Sequence, residues 1–384
     1  MNWKKLLIES TIGIEKFVDD LTFKIRKKLK WNSPVIIMPY RSYGRKDYLY
    51  IIGRVLENKL IKPAESKESL ITNLANMYKR FQSDEVPGVT IQIDYHGEKH
   101  QVISDDEGYF KLVFKPKHIP TETKLYHLVS LKIIEAPIPF TKDNFIAEVM
   151  VPPVDAEFGV ISDIDDTVIK TSATKILAMA KTVFLNNAHS RLPFAGVAAF
   201  YQALMLGKKG KQNNPFFYVS SSPWNTYDLL KEFLDLNKIP EGPLLLRDFG
   251  LQDNKFFSSG HMEHKTKEIV NILETYPNLN FILIGDSGQQ DIYIYTEIAL
   301  KFPERILAIY IRDLELKKTE EKVLNQTAKA AELGIEIILS KDAQLASIHA
   351  AKKGFIFSEA IEAVNEDKKQ DTGELPGKVE DEMI

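Results

Sequence analysis

The sequence predicts two folded parts: a mainly β, sandwich-like accessory domain, followed by an α/β domain built on a parallel sheet. In the first part, 32–153, short runs of alternating apolar and polar residues are separated by turn-forming residues, which is typical of a β-sandwich. In the second part, 154–364, apolar strand-like runs alternate with helical patterns, and this alternation indicates parallel strands joined by right-handed crossovers. Val151-Pro152-Pro153 marks the boundary, because proline interrupts both patterns.

The β domain is predicted to contain strands at Val35–Tyr40, Tyr48–Leu56, Val89–Tyr95, Tyr109–Phe114 and Leu125–Ile134. Turn signals such as His96-Gly97 separate them, and the run from Ile103 to Phe114 predicts a hairpin. A solvated turn is predicted at Arg41, Tyr43 and Arg45, with an anion-binding site as the alternative. No catalytic constellation is visible in this part of the sequence, so we interpret the domain as accessory.

Both ends of the chain carry charge-biased segments. Residues 1–31 predict an amphipathic helix, with Ile14, Val18 and Leu21 at spacings of three or four residues. Eight basic and four acidic residues give this segment a charge of +4, so the helix could lie on an anionic membrane surface or pack on the protein with a solvated basic face. Residues 365–384 contain seven acidic residues and three lysines, and they predict a disordered acidic tail.

Composition limits the classes of function. The net charge of −3 argues against a general nucleic-acid-binding protein, because non-specific phosphate binding requires a basic surface. The chain has no cysteine, which excludes disulfides and a cysteine nucleophile and fits an intracellular protein. No apolar segment approaches the roughly 20 residues of a membrane-spanning helix, and the first ten residues lack the pattern of a signal peptide. We therefore expect a cytoplasmic protein whose contact with membrane, if it makes one, is peripheral.

The most informative segment runs from Phe158 to Thr171. Its apolar start predicts a buried strand that ends in Asp163, Asp165 and Thr167. Side chains two residues apart on a strand point to the same side, so the two carboxylates would repel each other unless a cation or a shared proton lay between them. Ligands of α/β sheets bind at this end of the strands. One carboxylate could act as nucleophile and the other could carry protons, with a divalent metal nearby; the alternative is an acidic loop that caps a helix.

Three further polar groups follow in order along the α/β domain. The apolar run that starts at Asn214 ends in a hydroxyl cluster led by Ser220, with Ser221 and Ser222 as alternatives. A helical pattern then begins at Lys265, with Lys267 as the alternative basic residue. A third apolar run, from Phe281, ends in two more acids, which are Asp286 and Asp291.

This series of a carboxylate pair, a hydroxyl, a lysine and an acid pair resembles the four motifs of the haloacid dehalogenase superfamily of phosphotransferases. The wording of four segments sharpens the resemblance: DIDDTVIKT, NNAHSRLPFAGV, YVSSSPWN and LIGDSGQQDIYIY. Together they resemble the catalytic domain of the actin-patch-type, magnesium-dependent phosphatidate phosphatases. The resemblance covers roughly residues 154–357 and implies a Rossmann-like α/β fold with a small cap insertion near 170–195.

The resemblance also implies roles for the motif residues. Asp163 would attack phosphorus and form an aspartyl-phosphate, and Asp165 would protonate the leaving oxygen and later activate water. Thr167 would brace the loop through local hydrogen bonds. Ser220 and Lys265 would bind the phosphoryl oxygens of the substrate.

Metal and substrate head-group contacts complete the predicted site. Mg²⁺ prefers oxygen ligands, which Asp163, the backbone oxygen of Asp165 and Asp286 would supply. Asp291 would contribute to the metal through water, or would orient Asp286 and the lysine. Arg191, in the predicted cap, could bind a phosphate or carboxylate group of the substrate, although a structural role is equally compatible with its position.

The function predicted from these residues is hydrolysis of phosphatidate to diacylglycerol and phosphate, with Mg²⁺ as cofactor. Phosphomonoester hydrolysis follows from the motifs, whereas the lipid substrate comes from the family resemblance alone. A phosphatase of soluble phosphomonoesters is the first alternative. A membrane adaptor with a vestigial phosphatase domain is the second, and the complete set of acids argues against it. The oligomeric state is not determined by the sequence.

Overall fold

The computed structural model describes residues 34–58, 85–117, 124–164, 195–247, 259–287, 290–313, 320–332 and 334–372. The predicted helix at 1–31 lies outside these ranges, as does almost all of the predicted cap insertion near 170–195. Both therefore stay predictions.

The β domain contains eight strands in one hydrogen-bonded sheet, in the order β1-β3-β2-β8-β7-β4-β5 with β6 on the other side of β3. Their bounds are β1 Val35–Pro39, β2 Ser42–Arg45, β3 Tyr48–Glu57, β4 Thr90–Tyr95, β5 Glu98–Ile103, β6 Tyr109–Phe114, β7 Tyr126–Glu135 and β8 Phe145–Met150. Apart from the parallel pair β2 and β8, neighbouring strands run antiparallel. Because fully buried and half-buried residues alternate along strands such as β4, one side of the sheet encloses an apolar core.

One turn predicted from the sequence is present in this sheet, and one predicted hairpin is not. The predicted turn at His96-Gly97 joins β4 to β5, and both residues have positive φ angles, 49° and 83°, as a two-residue hairpin turn requires. The hairpin predicted from Ile103 to Phe114 is wrong, since β6 pairs with β3 and β5 pairs with β4. Asp105 redirects the chain there, because its carboxylate accepts hydrogen bonds from the N–H groups of Glu107 and Tyr109.

The α/β domain contains a six-stranded sheet in the order β11-β10-β9-β12-β13-β14, in which all neighbouring strands are parallel. The strands are β9 Gly159–Asp163, β10 Phe216–Pro223, β11 Leu244–Arg247, β12 Phe281–Asp286, β13 Ile306–Arg312 and β14 Ile337–Ser340. The described helices are α1 Val197–Leu206, α2 Tyr227–Leu236, α3 Ser259–Thr275, α4 Asp291–Lys301, α5 Glu320–Glu332, α6 Ala343–Lys353 and α7 Ala360–Thr372.

Apolar side chains cover both faces of the parallel sheet. On β10, for example, Phe216 and Tyr218 pack in one cluster, and Phe217 and Val219 pack in the other. Successive strand residues point to opposite faces, so a strand buried on both sides must be apolar throughout. This is why the strands of the domain read as continuous apolar runs rather than as alternating ones.

The prediction that residues 365–384 form a disordered tail is wrong for residues 365–372, which continue helix α7. Val364 is fully buried, and the carboxylates of Asp367 and Asp371 accept hydrogen bonds from the N–H groups of Ala199 and Gly196. Two acidic residues one helical turn apart thus cap the first turn of α1, whose N–H groups have no partner within their own helix. Residues 373–384 lie outside the described ranges.

The predicted solvated turn around Arg41, Tyr43 and Arg45 is also wrong, because this segment is the contact between the two domains. Arg41 and Tyr43 are 5% and 2% exposed. The Arg45 guanidinium donates a 3.0 Å hydrogen bond to the carbonyl oxygen of Thr275 on α3. A polar, aromatic sequence without periodicity looks like a loop, and only the neighbouring domain makes it an interior segment.

Within the described ranges, no helix is both long enough and apolar enough to cross a membrane.

Candidate active site

Three strands bring the predicted acids and the hydroxyl to one edge of the parallel sheet. Asp163, the last residue of β9, is in register with Val219 on β10, so Ser220 lies one residue beyond it. On the other side Ser162 is in register with Ile284 on β12, which places Asp286 at the same level of the sheet. This is the carboxyl edge, where the ligands of α/β sheets bind.

Lys265 reaches this edge from helix α3 and lies between two carboxylates. Its Nζ is 2.8 Å from Oδ1 of Asp163 and 2.7 Å from Oδ1 of Asp291. The lysine side chain is 3% exposed and both aspartates are fully buried. Burial by itself would lower the pKa of Lys265, but the two adjacent carboxylates raise it above its ordinary value, so the ammonium group stays charged. The alternative, Lys267, is exposed on the same helix.

Asp291 connects the lysine to the third acid. Its Oδ1 accepts from Lys265, and its Oδ2 accepts a 3.3 Å hydrogen bond from the backbone N–H of Asp286. Gly285 allows this approach, because a Cβ at that position would lie 2.6 Å from Oδ2 of Asp291 and 2.8 Å from the ring of Tyr295. Asp291 thus contacts both Asp286 and Lys265, the two residues that it could orient, and its role stays a prediction. Gly285 is a site residue that the sequence analysis did not single out.

The acids of this cluster have the composition of a divalent-metal site. Asp163, Asp286 and Asp291 each offer a carboxylate oxygen, and these oxygens lie within 4.8 Å of one another. All three residues are fully buried, and Lys265 supplies one positive charge against their three negative charges. Burial of a net negative cluster is costly unless a cation balances it. Hard carboxylate oxygens are the ligands that Mg²⁺ prefers, so these residues fit that ion.

Ser220 is the serine of its cluster that lies nearest to Asp163 along the strand register. It is fully buried, whereas Ser221 is half-buried. The Oγ of Ser220 accepts a 3.0 Å hydrogen bond from the backbone N–H of Ser222, which orients the hydroxyl. Among the three alternatives of the sequence, the geometry therefore favours Ser220.

Two hydroxyl groups that the sequence analysis did not single out support Asp163. The Oγ of Ser162 donates a 2.8 Å hydrogen bond to the carbonyl oxygen of Asp163 and lies 2.7 Å from the hydroxyl of Tyr201. A serine hydroxyl has one hydrogen, so Tyr201 must be the donor in the second contact. Tyr201 is fully buried on α1 and its pKa is raised by burial, which keeps the phenol protonated. In the sequence it looks like an ordinary core residue.

Two basic residues near the same edge were also missed. Arg247 ends β11 and is 7% exposed. His264 precedes Lys265 on α3, and burial, together with the charge of Arg247, lowers its pKa, so the imidazole is neutral near pH 7. The charge of Arg247 therefore increases the positive potential on the side of the sheet that carries Ser220, whereas the neutral His264 adds none.

Asp165, Thr167 and Arg191 lie outside the residues that the structure describes. Their predicted roles, which are proton transfer, loop bracing and head-group binding, stay predictions. The described part of the site unites Asp163, Ser220, Lys265, Asp286 and Asp291.

A parallel sheet with a buried carboxylate and lysine cluster at its carboxyl edge is typical of an enzyme site. Residues 158–313 match the family model described as "Phosphatidate phosphatase APP1, catalytic domain". This match confirms the resemblance inferred from the motifs: the segment is similar to a phosphatidate phosphatase catalytic domain. The described site residues all fall inside it.

Two yeast proteins show how far the similarity extends. Phosphatidate phosphatase APP1 of Saccharomyces cerevisiae is 38% identical over 184 residues, which cover 46% of this chain and 30% of that protein. A Schizosaccharomyces pombe protein is 31% identical over 168 residues, covering 43% of this chain and 26% of that protein. The chain therefore spans less than a third of the length of these relatives, and the similarity concerns the catalytic segment.

The similarity of this chain to solved structures is too low to assign its fold. A carbohydrate acetylesterase from Xanthomonas citri aligns over 80% of this chain and 72% of that chain, with 11% identity. The TM-score of 0.28 is too low for a fold assignment.

Proposed function

We propose that this protein is a Mg²⁺-dependent phosphatidate phosphatase with a Rossmann-like catalytic domain of the haloacid dehalogenase type. The observation that carries the proposal is the buried contact of Lys265 with Asp163 and Asp291, at the strand edge that also bears Asp286. It lies within the segment that matches the phosphatidate phosphatase catalytic domain.

Asp163 is the nucleophile in the proposed reaction. A carboxylate oxygen attacks the phosphorus of the substrate, the bond between phosphorus and the ester oxygen breaks, and an aspartyl-phosphate forms. The Oδ1 of Asp163 is fixed by Lys265, and its backbone carbonyl is held by Ser162. A carboxylate held in this way keeps one attack direction, which lowers the entropic part of the barrier.

Asp165 moves the protons in both halves of the reaction. Its carboxyl group donates a proton to the leaving alcohol oxygen, and its carboxylate then accepts a proton from the water that attacks the aspartyl-phosphate. That second attack breaks the bond between phosphorus and Asp163, so inorganic phosphate leaves and the nucleophile is regenerated. This role rests on the motif resemblance.

Charge repulsion between a carboxylate nucleophile and a phosphoryl dianion is the main obstacle to the first step. Lys265 offsets it with a charge that persists at every physiological pH, and the hydroxyl of Ser220 can donate to a phosphoryl oxygen. Mg²⁺, held by Asp163 and Asp286 with Asp291 in support, would supply further positive charge to the transferred group.

The lipid substrate is supported by the name of the yeast relative and by the matching catalytic-domain model. Contact with an anionic membrane through the predicted basic helix at 1–31 stays a prediction, because that segment lies outside the described residues. The same site chemistry would also hydrolyse soluble phosphomonoesters. A comparison of phosphate release from phosphatidate and from soluble phosphomonoesters therefore decides between the lipid substrate and the soluble substrate.

The test measures phosphate release by the full chain from phosphatidate in detergent micelles and from a panel of soluble phosphomonoesters. Wild-type protein with Mg²⁺ should release phosphate from phosphatidate, and chelator should abolish the activity until Mg²⁺ is added back. Asp163→Asn should reduce turnover to background, because the amide keeps the shape of the side chain but is not a nucleophile. Asp106→Asn, in an exposed loop of the β domain, is the matched control and should retain full activity.

Turnover by Asp163→Asn near the wild-type rate would refute the assignment of the site. A wide preference of the wild-type enzyme for a soluble phosphate would refute the lipid substrate and leave a phosphatase of soluble phosphomonoesters. Absence of phosphate release from every substrate would refute the enzyme and favour the adaptor alternative.

A further inference from the structure

We propose that the β domain is part of the catalytic apparatus, because Tyr40 and Arg41 are positioning residues for the segment from Ser220 to Tyr227. This inference rests on the proposed function, in which Ser220 contacts the substrate phosphoryl group. It replaces the interpretation of the β domain as accessory.

Tyr40 packs against aromatic rings of the catalytic domain. Its ring lies 5.1 Å from that of Trp224, with an interplanar angle of 6°, and 4.0 Å from that of Tyr227, with an angle of 30°. Tyr40 and Tyr227 are 3% and 2% exposed, so these two rings are shielded from water, and Trp224 is half-buried. Stacked rings at these distances hold each other in both position and tilt.

Arg41 contacts Tyr227, at the end of the same segment. Its backbone N–H donates a 2.6 Å hydrogen bond to the hydroxyl of Tyr227, the first residue of α2. Its guanidinium contacts Asp235 at 2.9 Å, at the other end of α2, and Glu241 at 3.3 Å. The Arg41 side chain is 3% exposed, and a buried charge with two carboxylate partners is costly to displace. Arg41 therefore fixes α2, and with it the start of that helix.

Local hydrogen bonds connect these contacts to Ser220. The backbone N–H of Ser222 donates to the Oγ of Ser220, and the hydroxyl of Thr226 donates a 2.6 Å hydrogen bond to the carbonyl oxygen of Pro223. Trp224 to Thr226 form a single 3-10 turn, so Trp224 lies four residues after Ser220 without a flexible linker. A shift of the Trp224 ring is transmitted to the hydroxyl of Ser220, and catalytic groups tolerate displacements of only about 0.5 Å.

A second part of the same interface provides a control. The hydroxyl of Tyr276 donates a 3.0 Å hydrogen bond to the carbonyl oxygen of Gly44, and Arg45 donates to Thr275 at the end of α3. Thr275 lies ten residues beyond Lys265 on the helix, roughly 15 Å along its axis. Loss of the Arg45 contact weakens the domain interface without touching the segment that carries Ser220.

The experiment compares Tyr40→Leu, Tyr40→Phe and Arg45→Ala in the full chain, using an aryl phosphate as a soluble substrate and phosphatidate as the second. Tyr40→Leu should lower kcat about 10- to 100-fold, since a displacement near 1 Å costs up to that factor, while Tyr40→Phe should retain activity within about threefold. Arg45→Ala should lower Tm without lowering kcat. If Tyr40→Leu does not fold, Trp224→Leu removes the same stack from the other domain and should show the same loss of kcat.

A double-mutant cycle with Ser220→Ala separates positioning from a general loss of stability. If Tyr40 acts through Ser220, Tyr40→Leu should cost less than about threefold in the Ser220→Ala background. An equal loss in both backgrounds would overturn the proposal, as would a kcat for Tyr40→Leu that matches Arg45→Ala. If the wild-type enzyme is active, either of these two results leaves the proposed function intact. An inactive wild-type protein would instead contradict the proposed function itself.

Discussion

Replacement of Lys265 by methionine tests the central contact of the site. Methionine keeps most of the length and apolar volume of the lysine side chain but removes its charge. In the structure that charge lies 2.8 Å from Asp163 and 2.7 Å from Asp291, both fully buried. The variant therefore leaves two buried carboxylates without their common partner.

Two effects of different size are expected from this change. Removal of one partner from a buried ion pair destabilises a protein by about 3–5 kcal/mol, because the remaining charge is desolvated and unpaired. Loss of one group that stabilises transition-state charge lowers kcat by about 10²- to 10³-fold. The first effect is measured by denaturant unfolding and the second by phosphate release from an aryl phosphate under conditions where the variant is folded.

The pH dependence of the Lys265 defect has a definite sign. The folded-state pKa of Lys265 is raised, so the stability that its charge contributes is fully present below the unfolded pKa of about 10.4 and is lost only as pH rises through the folded value. The ratio of wild-type to variant activity should therefore be constant between pH 6 and pH 9 as far as Lys265 itself is concerned. Lys267→Met, on the exposed side of the same helix, is the control and should behave as wild type. Equal activity of the two variants would refute the assignment of Lys265.

Two further predictions follow from contacts that the sequence does not show. Gly285→Ala should place a methyl group 2.6 Å from Oδ2 of Asp291, which forces that carboxylate to move. We expect the free energy of unfolding to fall by about 1–3 kcal/mol and kcat to fall by a larger proportion. Unchanged kinetics would contradict the role of Asp291 in orienting the site. Asp371→Asn concerns the cap of α1, where burial and the charge of Asp367 raise the pKa of Asp371 to about 6 from 3.8, against the lowering effect of the Gly196 N–H. The folded state therefore keeps a proton that the unfolded state loses between these values, so stability falls as pH rises from about 4 to about 6. A full pKa shift of this size would lower the free energy of unfolding by about 3 kcal/mol. Because the carboxyl group is partly exposed, we expect a loss of about 1 kcal/mol. The variant should therefore have a higher Tm than wild type at pH 7.5 and no gain at pH 4; a lower Tm at pH 7.5 would show that the bond from the carboxylate to the helix N-terminus dominates.

The sequence predicted much of the described site because several of its members directly follow apolar strand runs. Asp163, Ser220 and Asp286 each follow an apolar run, and parallel strands bring such ends to one edge. The assignment of Lys265 to this site was expected from the order of the motifs rather than from any local pattern, whereas its contacts with Asp163 and Asp291 appear only in the structure. The choice of Lys265 over Lys267 required the structure, because both lie on one helix and only the direction of each side chain separates them.

The misses of the sequence analysis share one physical cause. Residues 365–372 are acidic and look disordered, but the carboxylates of Asp367 and Asp371 meet the free N–H groups at the start of α1. The segment around Arg41 is polar and looks solvated, but its hydrogen-bond partner, Tyr227, lies 186 residues away along the chain. Local composition reports the solvent preference of a segment and carries no information about a partner that folding brings to it.

By itself the sequence determined the two-part organisation, the apolar strands of the parallel sheet and the identity of most of the groups at the candidate site, since these depend on residue type, periodicity and order. Only the tertiary structure decided which charges are paired, that Gly285 admits Asp291, and that Tyr40 and Arg41 of the β domain contact the segment after Ser220. The physical reason is that strand and helix patterns arise from neighbours in the chain, whereas ion pairs, ring stacks and close approaches arise between residues that are distant in the chain and are set by how the elements pack.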